Sequence, residues 1–276
     1  MIGDGGPDAG REVSRVFGAA IREVGPLGEG PVEMESHATV YPHLRGPGDR
    51  VRTGALLGLI DNVGGLCGGL GALPDGWVVS TNVMVRRVDG ASPPADRLTL
   101  RSRVLRRGRS AVVTAIDVED ARTHTRVADA VLTSSILVPE HGVPDWVRPV
   151  VLEPGPLPPG LPSLSEWAGI EPDGADAVAL AVRDELRNPW GILHGGMVAL
   201  LVDGAAEHEA RVTGIDEPLV TDVTLHFLAP ARVGPVRARA HAFGTRPDGR
   251  TARVEVRDSG ADDRVVAVAV TSTRVS

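Results

Sequence analysis

The residues best suited to chemistry in this sequence are a His-Gly-Gly turn and an aspartate beyond it. The turn comprises His194, Gly195 and Gly196 and comes directly before an apolar run. Asp203 follows within this run, seven residues after the last glycine. A helix N-terminus has unpaired N–H groups and a partial positive charge, so this turn could bind an oxyanion or a polarised carbonyl oxygen. A buried carboxylate is costly unless it is paired or functional, and it could act as a general base.

The turn and the aspartate cannot serve one reaction from the same helix. Seven residues are about two helical turns, so Asp203 lies on nearly the same face as Gly196 but about 10 Å further along the axis. A general base must come within about 3 Å of its proton, or act through one water. A joint site therefore needs the turn of one helix and the aspartate of another helix that packs antiparallel to it.

The first half of the chain supplies a second aspartate at the same register. Residues 53–61, TGALLGLID, match residues 195–203, GGMVALLVD, and Asp61 stands at the place of Asp203. Three further blocks match in the same order, namely 79–85 with 219–225, 108–113 with 249–254, and 127–133 with 266–272. Four blocks in one order indicate a duplicated unit.

The two halves differ at the turn, which predicts one working site per chain. Asn188 and His194 of the second half are replaced by Gly46 and Arg52 at the aligned places of the first half. The predicted catalytic residues are Asp61, Asn188, His194 and Gly195, and the secondary candidates are Asp203, Gly196 and Thr81.

Several of these residues have alternative interpretations. His194 could hydrogen-bond the substrate carbonyl or hold the loop through a backbone contact. The hydroxyl of Thr81 could position a water, although a β-branched residue is also common in a strand without any such role. The two aspartates could be polar contacts of a helix interface. Glu207 and His208 could form a solvated helix end and are left out of the candidate site.

Each half predicts the same order of elements: a strand, a loop, a helix of roughly 15 residues and four strands with period-2 alternation. Residues 55–60 and 197–202 are apolar nearly all round, which indicates helices buried on every side. The fold class is therefore α+β, with a curved antiparallel sheet wrapped around a long central helix in each half. The predicted strands cover about 77–87, 97–107, 110–120, 126–138, 218–228, 235–244, 250–258 and 264–274.

The domain organisation follows from this repeat and from a proline-rich stretch between its copies. Residues 139–162 hold eight prolines, which favours an extended connector. The predicted units are an N-terminal extension with an amphipathic helix over 11–24, two domains and a linker. Their limits are 1–30 for the extension, 31–138 for the first domain, 139–165 for the linker and 166–276 for the second domain.

Composition excludes several classes of function. The formal net charge is −7 and basic clusters are absent from the sequence, which argues against nucleic acid or a membrane surface as partner. A single cysteine, Cys67, fits a reducing compartment and is expected to be a small buried apolar residue. Neither a metal-ligand pattern nor an apolar run of 18 residues is found, so we expect a cytoplasmic protein without a metal.

These motifs resemble those of a known family. Asn188, His194-Gly195-Gly196 and Asp203, followed by VTDVTLHFLAPARVG, are similar to the hotdog-fold acyl-CoA thioesterases of the phenylacetyl-CoA thioesterase-like type. The resemblance covers about 176–275 and, more weakly, about 40–138. The whole chain then resembles a tandem, double hotdog protein.

The resemblance implies hydrolysis of an acyl thioester of CoA or of an acyl carrier, with no cofactor. It assigns the general base or nucleophile to Asp61, the N–H that polarises the carbonyl to Gly195, and the positioning of water or loop to Asn188. It also makes a homodimer of the tandem chain plausible.

Two alternatives remain open at this stage. The chain could bind acyl-CoA or an acyl carrier without turnover. It could also be a hotdog hydratase or dehydratase, although those enzymes commonly use an Asp and a His close in sequence, a pairing not evident here.

Overall fold

The computed structural model describes residues 11–25, 31–88, 93–139, 142–157, 159–174, 176–246 and 248–276. The α-helices in these residues are α1 (Arg11–Phe17), α2 (Thr53–Ala72), α3 (Leu164–Ala168) and α4 (Gly195–Val212). In chain order the strands are β1 (Ala19–Glu23), β2 (Glu33–Thr39), β3 (Trp77–Arg87), β4 (Arg97–Arg107), β5 (Ala111–Asp120), β6 (Arg126–Leu137), β7 (Val151–Leu152), β8 (Glu171–Pro172), β9 (Ala177–Leu180), β10 (Pro218–Phe227), β11 (Val236–Arg246), β12 (Gly249–Asp258) and β13 (Arg264–Val275).

The 13 strands form one antiparallel sheet in the order β7-β1-β2-β4-β5-β6-β3-β10-β13-β12-β11-β9-β8. The first-half strands β2 to β6 contact α2, and the second-half strands β9 to β13 contact α4. The halves join where β3 pairs with β10, with Val85 opposite Val223. The predicted α+β architecture is confirmed, and the eight predicted strands end within two residues of the observed ones.

Enclosure by the sheet explains why α2 is apolar on all sides. By length and composition α2 could cross a membrane, since it has 20 residues and a mean hydropathy of 1.4. Of that apolar window, 78% is buried inside the protein, as in a core helix. The run is interrupted by Asp61 and Asn62, which is why a search for uninterrupted apolar residues does not reveal it. Cys67 is fully buried in this helix, as expected.

The N-terminal segment differs from the helix predicted over 11–24. The helix ends at Phe17, because Gly18 adopts a left-handed φ of 64° and its N–H closes the last turn on Arg15. The chain continues as β1, in which Ile21 lies opposite Ser36 of β2. Apolar residues at helical spacing were misleading here, because pairing with the sheet outweighs local propensity. Residues 1–10 and 26–30 of the predicted extension lie outside the described residues.

The proline-rich stretch contacts the sheet as well as joining the halves. β7 pairs with β1, and Arg148 forms an ion pair with the buried carboxylate of Glu23. The N–H of Val150 donates to the same carboxylate. The segment that follows ends in α3, whose capping box is formed by Ser163 and Glu166. The predicted limits of the domains themselves stay a prediction.

Glycines set the distance between the two central helices. A Cβ on Gly54 of α2 would lie 2.8 Å from the Cα of Leu200 of α4. A Cβ on Gly196 would lie 3.0 Å from the Cα of Gly58. Gly54 thus lies against Leu200, and Gly58, one turn further along α2, lies against Gly196, one turn earlier on α4. The two helices are therefore antiparallel. They cross with their backbones nearly touching.

This crossing predicts opposite effects for two alanine substitutions in α2. Gly54→Ala inserts a methyl group against the backbone of α4, so we expect a loss of about 1–3 kcal/mol in the free energy of unfolding. Gly65→Ala is the matched control, because a Cβ there would meet nothing within 4 Å. It should gain about 0.5–1 kcal/mol through helix propensity. Urea unfolding of both variants measures the difference, and equal effects would show that the helices can separate at little cost.

Candidate active site

The antiparallel crossing brings Asp61 of α2 against the N-terminus of α4. A Cβ on Gly195 would lie 2.6 Å from Oδ2 of Asp61. The carboxylate therefore packs directly on the glycine backbone, where no side chain would fit. The Asp61 side chain is 11% exposed, so the carboxylate is largely shielded but reachable.

A serine hydroxyl orients this carboxylate from the neighbouring strand. Oγ of Ser80 donates to Oδ1 of Asp61 at 2.6 Å. Thr81, the hydroxyl residue chosen from the sequence, instead donates to the backbone oxygen of Thr133 at 3.0 Å. Successive strand residues face opposite sides, and the register of β3 shifts between Ser80 and Asn82. Ser80 therefore replaces Thr81 as the hydroxyl at the site.

His194 caps the helix rather than pairing with the aspartate. Its Nδ1 accepts a hydrogen bond from the N–H of Gly196 at 3.0 Å and lies 3.8 Å from Oδ2 of Asp61. Burial lowers the pKa of His194, although the charge of Asp61 opposes this shift. The ring is therefore neutral, and its proton lies on Nε2 because Nδ1 is an acceptor. The N–H of Gly195 makes no hydrogen bond within the described part of the chain and can meet a ligand.

Asn188 shapes the loop that leads into the turn. Its Oδ1 accepts from the N–H of Trp190 at 2.9 Å and from that of Ile192 at 3.4 Å. Its backbone N–H donates to the oxygen of Ile192. The structure thus brings Asp61, His194 and Gly195 together, while the observed contacts of Asn188 are with its own loop. Of the two expectations for Asn188, this geometry corresponds to holding the loop.

Asp203 of α4 meets the turn that begins α2, near Gly54, and forms a second composite place that mirrors the one at Asp61. This second composite place contains a buried ion-pair cluster. Arg52, which is aligned with His194, donates from Nε to Oδ2 of Asp203 at 2.7 Å and from a terminal nitrogen to Oε2 of Glu207 at 2.6 Å. The same guanidinium donates to Oγ of Ser165 of α3 at 2.8 Å. Asp203 is fully buried. A cation thus binds the carboxylate that corresponds to Asp61, and the adjoining cleft of about 550 Å³ is lined by Gly46, Pro47, Gly48, Asp49, Arg52, Glu207, Arg211 and Glu217.

Two buried carboxylates share the single guanidinium of Arg52. Burial, together with the charge of Asp203, raises the pKa of Glu207 to about 8 against the opposing effects of Arg52 and Arg211. Burial works against the charge of Arg52, but Asp203 and Glu207 outweigh it and raise the pKa of Arg52. Glu207 therefore holds a proton near neutral pH. Its interpretation as a solvated helix end is wrong, because only 4% of it is exposed.

No group of three or more His, Cys, Asp or Glu side chains in the described ranges could hold a metal ion. The absence of a metal or cofactor from the whole chain stays a prediction.

The second half of the chain matches a family of known proteins. Residues 185–275, which include α4 and the strands after it, match the family described as the acyl-CoA thioesterase N-terminal domain. The predicted resemblance to hotdog acyl-CoA thioesterases is confirmed. No match was found among curated proteins.

Solved structures resemble the chain over most of its length. A candidate thioesterase from Novosphingobium aromaticivorans has a TM-score of 0.60 and 19% identity, covering 88% of this chain and 95% of its own. An acyl-ACP thioesterase from Bacteroides thetaiotaomicron has a TM-score of 0.59 and 13% identity, covering 88% and 98%. A protein with a hotdog fold from Alicyclobacillus acidocaldarius has a TM-score of 0.57 and 13% identity, covering 91% and 95%. At these identities the likeness shows the fold, which is a double hotdog.

The raised pKa of Glu207 predicts a pH-dependent stability of this double hotdog. A carboxyl with a pKa of about 8 in the folded chain keeps a proton that the unfolded chain, with a pKa near 4.5, releases. The contribution of Glu207 to the free energy of unfolding is therefore fully present below pH 4.5 and is lost as pH rises toward 8. The slope is at most about 1.4 kcal/mol per pH unit. Glu207→Gln has no proton to release, so we expect a flatter curve in urea unfolding across this interval.

The matched control is Glu171→Gln, which removes an exposed carboxyl from β8. Its curve is expected to follow that of the wild type. If wild type and Glu207→Gln instead show parallel curves, Glu207 does not hold the proton in the folded chain.

Proposed function

We propose that the chain is a thioester hydrolase that cleaves an acyl-CoA or acyl-carrier thioester with Asp61 and Gly195. The observation that carries this proposal is the Asp61 carboxylate packed against a glycine turn whose N–H is free. The family of residues 185–275 and the thioesterases among the similar folds support thioester hydrolysis in general. The residue roles below belong to the proposal.

The free N–H of Gly195 binds the thioester carbonyl oxygen. It stands at the positive end of α4, so it stabilises the negative charge that develops on this oxygen. Asp61 takes a proton from water as the water oxygen attacks the carbonyl carbon. The tetrahedral intermediate then collapses, the C–S bond breaks, and the leaving thiolate takes up the proton that Asp61 accepted. In the alternative course, Asp61 attacks the carbonyl carbon directly, the C–S bond breaks and the thiolate leaves; water then hydrolyses the resulting mixed anhydride and restores the carboxylate.

Three neighbours position the reacting groups. Ser80 holds one oxygen of Asp61 and leaves the other directed at Gly195. Nδ1 of His194 accepts a hydrogen bond from the N–H of Gly196, so His194 fixes the turn without binding the carboxylate of Asp61. Asn188 fixes the loop before the turn.

The arrangement favours hydrolysis over hydration or dehydration. A hydratase needs an acid beside its base, and His194 is the only histidine in contact with Asp61 among the described ion pairs. The ring nitrogen nearest Asp61 is Nδ1, which accepts the N–H of Gly196 and therefore carries no proton. His194 thus cannot act as an acid on the side that faces Asp61. Asp203 is bound by Arg52, which supports a single working site.

Substitution of the two aspartates tests the proposal. Free-thiol release is measured with short, long and aromatic acyl-CoAs for wild type, Asp61→Asn and Asp203→Asn. Loss of the general base should lower kcat/KM of Asp61→Asn by about a hundredfold to ten-thousandfold. Asp203→Asn should keep its turnover, although it loses stability because the guanidinium of Arg52 then faces one carboxylate fewer.

Other outcomes identify other functions. Loss of turnover in Asp203→Asn alone would place the reaction at the second composite site. Absence of turnover in all three proteins, with a rise in Tm when acyl-CoA is added, would indicate a binding protein without catalysis.

Ser80 is expected to act as a positioning residue. Ser80→Ala removes the hydrogen bond that holds Oδ1 of Asp61 in place. We expect kcat to fall by about tenfold or more while KM changes little, because the carboxylate is less well oriented for the reaction. Thr81→Val is the control, because that hydroxyl bonds to the backbone of Thr133. An unchanged kcat in Ser80→Ala, or an equal fall in kcat in Thr81→Val, would remove Ser80 from the site.

A further inference from the structure

We propose that Phe17 of α1 is the specificity-determining residue that limits the size of the acyl group at the Asp61–Gly195 site. This inference rests on the proposed thioester hydrolysis. It concerns a side chain that the duplicated unit does not supply, since α1 precedes the first repeat.

The ring of Phe17 fills the notch where the central helices cross. Phe17 is fully buried. A Cβ on Gly58 would lie 2.0 Å from Cζ of the ring, and a Cβ on Gly196 would lie 3.4 Å from another ring carbon. Two glycines from opposite helices therefore form the notch, and an aromatic ring from a third element occupies it.

This notch adjoins both reacting groups. Gly58 precedes Asp61 by three residues on α2, and Gly196 directly follows Gly195 on α4. Three residues are about one helical turn, a rise of about 4.5 Å. The ring of Phe17 thus lies about one turn from the carboxylate and beside the residue that offers the free N–H.

The direction of the substrate follows from its chemistry. A thioester carbonyl held at Gly195 has two substituents, a thiol part and an acyl part. CoA and the arm of an acyl carrier are large and polar, so they must extend toward solvent. The acyl group is the apolar part, and it is directed at the apolar interior between α2 and α4. Phe17 occupies that interior.

Phe17 is a fixed wall because α1 is anchored on both sides of it. Val13 and Val16 of the same helix are buried in the core. The backbone oxygen of Val16 lies 2.8 Å from Nε2 of the buried His43. After Phe17, Gly18 turns the chain into β1, which is paired along its length with β2.

Truncation of Phe17 should create room for a larger acyl group. The walls of the notch are glycine backbones, which have no side chains to fill the vacated space. An apolar cavity of this kind stays dry and can bind an apolar ligand. The acyl chain is such a ligand, so longer chains gain contacts that the wild-type protein denies them.

The test compares acetyl-, octanoyl- and palmitoyl-CoA as substrates of wild type, Phe17→Ala, Phe17→Leu and Val13→Ala. We expect the ratio of kcat/KM for palmitoyl-CoA to that for acetyl-CoA to rise by about tenfold or more in Phe17→Ala, and by less in Phe17→Leu. Val13→Ala is the control for lost packing of α1, because Val13 is buried in the same helix without a contact to the glycine notch among those described. Its ratio should equal that of the wild type.

The outcomes separate this inference from the proposed hydrolysis. Turnover that depends on Asp61, with an unchanged ratio in both Phe17 variants, overturns the role of Phe17 and leaves hydrolysis standing. If the wild type hydrolyses none of the three substrates, binding tests the role of Phe17 instead. Calorimetry then measures the dissociation constants of non-hydrolysable acetyl and palmitoyl thioether analogues of CoA for the wild type and the Phe17 variants. Tighter binding of the palmitoyl analogue relative to the acetyl analogue in the Phe17 variants supports the role, and an unchanged relative affinity, or no binding, refutes it. Circular dichroism establishes folding, and Phe17→Leu carries the test if Phe17→Ala does not fold.

Discussion

The close antiparallel contact between α2 and α4 is the constraint on which the rest of the structure depends. Glycines at the crossing let the two backbones come so close that a side chain at the same position would collide with the other helix. At Gly54, for example, a Cβ would lie 2.8 Å from the Cα of Leu200. Because the helices are antiparallel, the aspartate of each meets the turn that begins the other. The same contact brings the two sheets side by side, so that β3 pairs with β10 and one sheet encloses both helices. The contact of Asp61 with Gly195 and the packing of the core are therefore consequences of one helix–helix interface.

One aligned position makes the two composite places chemically different. At the first, His194 is neutral and its Nδ1 accepts a hydrogen bond from the N–H of Gly196. Asp61 therefore faces the turn without a bound cation. At the second, Arg52 reaches over the turn and binds Asp203 and Glu207. A buried ion pair of this kind adds little net stability, but loss of one partner leaves a charge in a low-dielectric interior. The carboxylate of Asp203 is therefore bound and buried, while that of Asp61 is partly accessible.

The sequence predicted the features that depend on periodicity and repetition. The apolar helices, the strands and the meeting of Asp61 with Gly195 all follow from repeat offsets and the pitch of a helix. The features that the sequence did not predict depend on contacts between residues that are far apart in the chain or that face different sides of a strand. Ser80 was passed over because its counterpart in the second half is Val220, whereas both halves share a threonine at the next position. Arg52, which hydrogen-bonds to Glu207, is 155 residues away in the sequence, and the local i,i+4 pairing of Glu207 with Arg211 is typical of an exposed helix face, so the sequence does not reveal that this carboxyl is buried.

The short helices α1 and α3 show how segments outside the repeat complete the difference between the two places. Each precedes one repeat and covers the turn contributed by the other: α1 lies against Gly196, and α3 lies against Arg52. The residue that α3 presents is Ser165, whose hydroxyl accepts from the guanidinium and completes the ion-pair cluster. The residue that α1 presents is Phe17, whose fully buried ring lies against Gly196, directly after the residue with the free N–H. Under the proposed function, an apolar ring at this place suits the acyl part of the substrate. The two halves therefore bring an aspartate and a helix-starting turn together twice, and the segments outside them place a hydroxyl at one copy and an aromatic ring at the other.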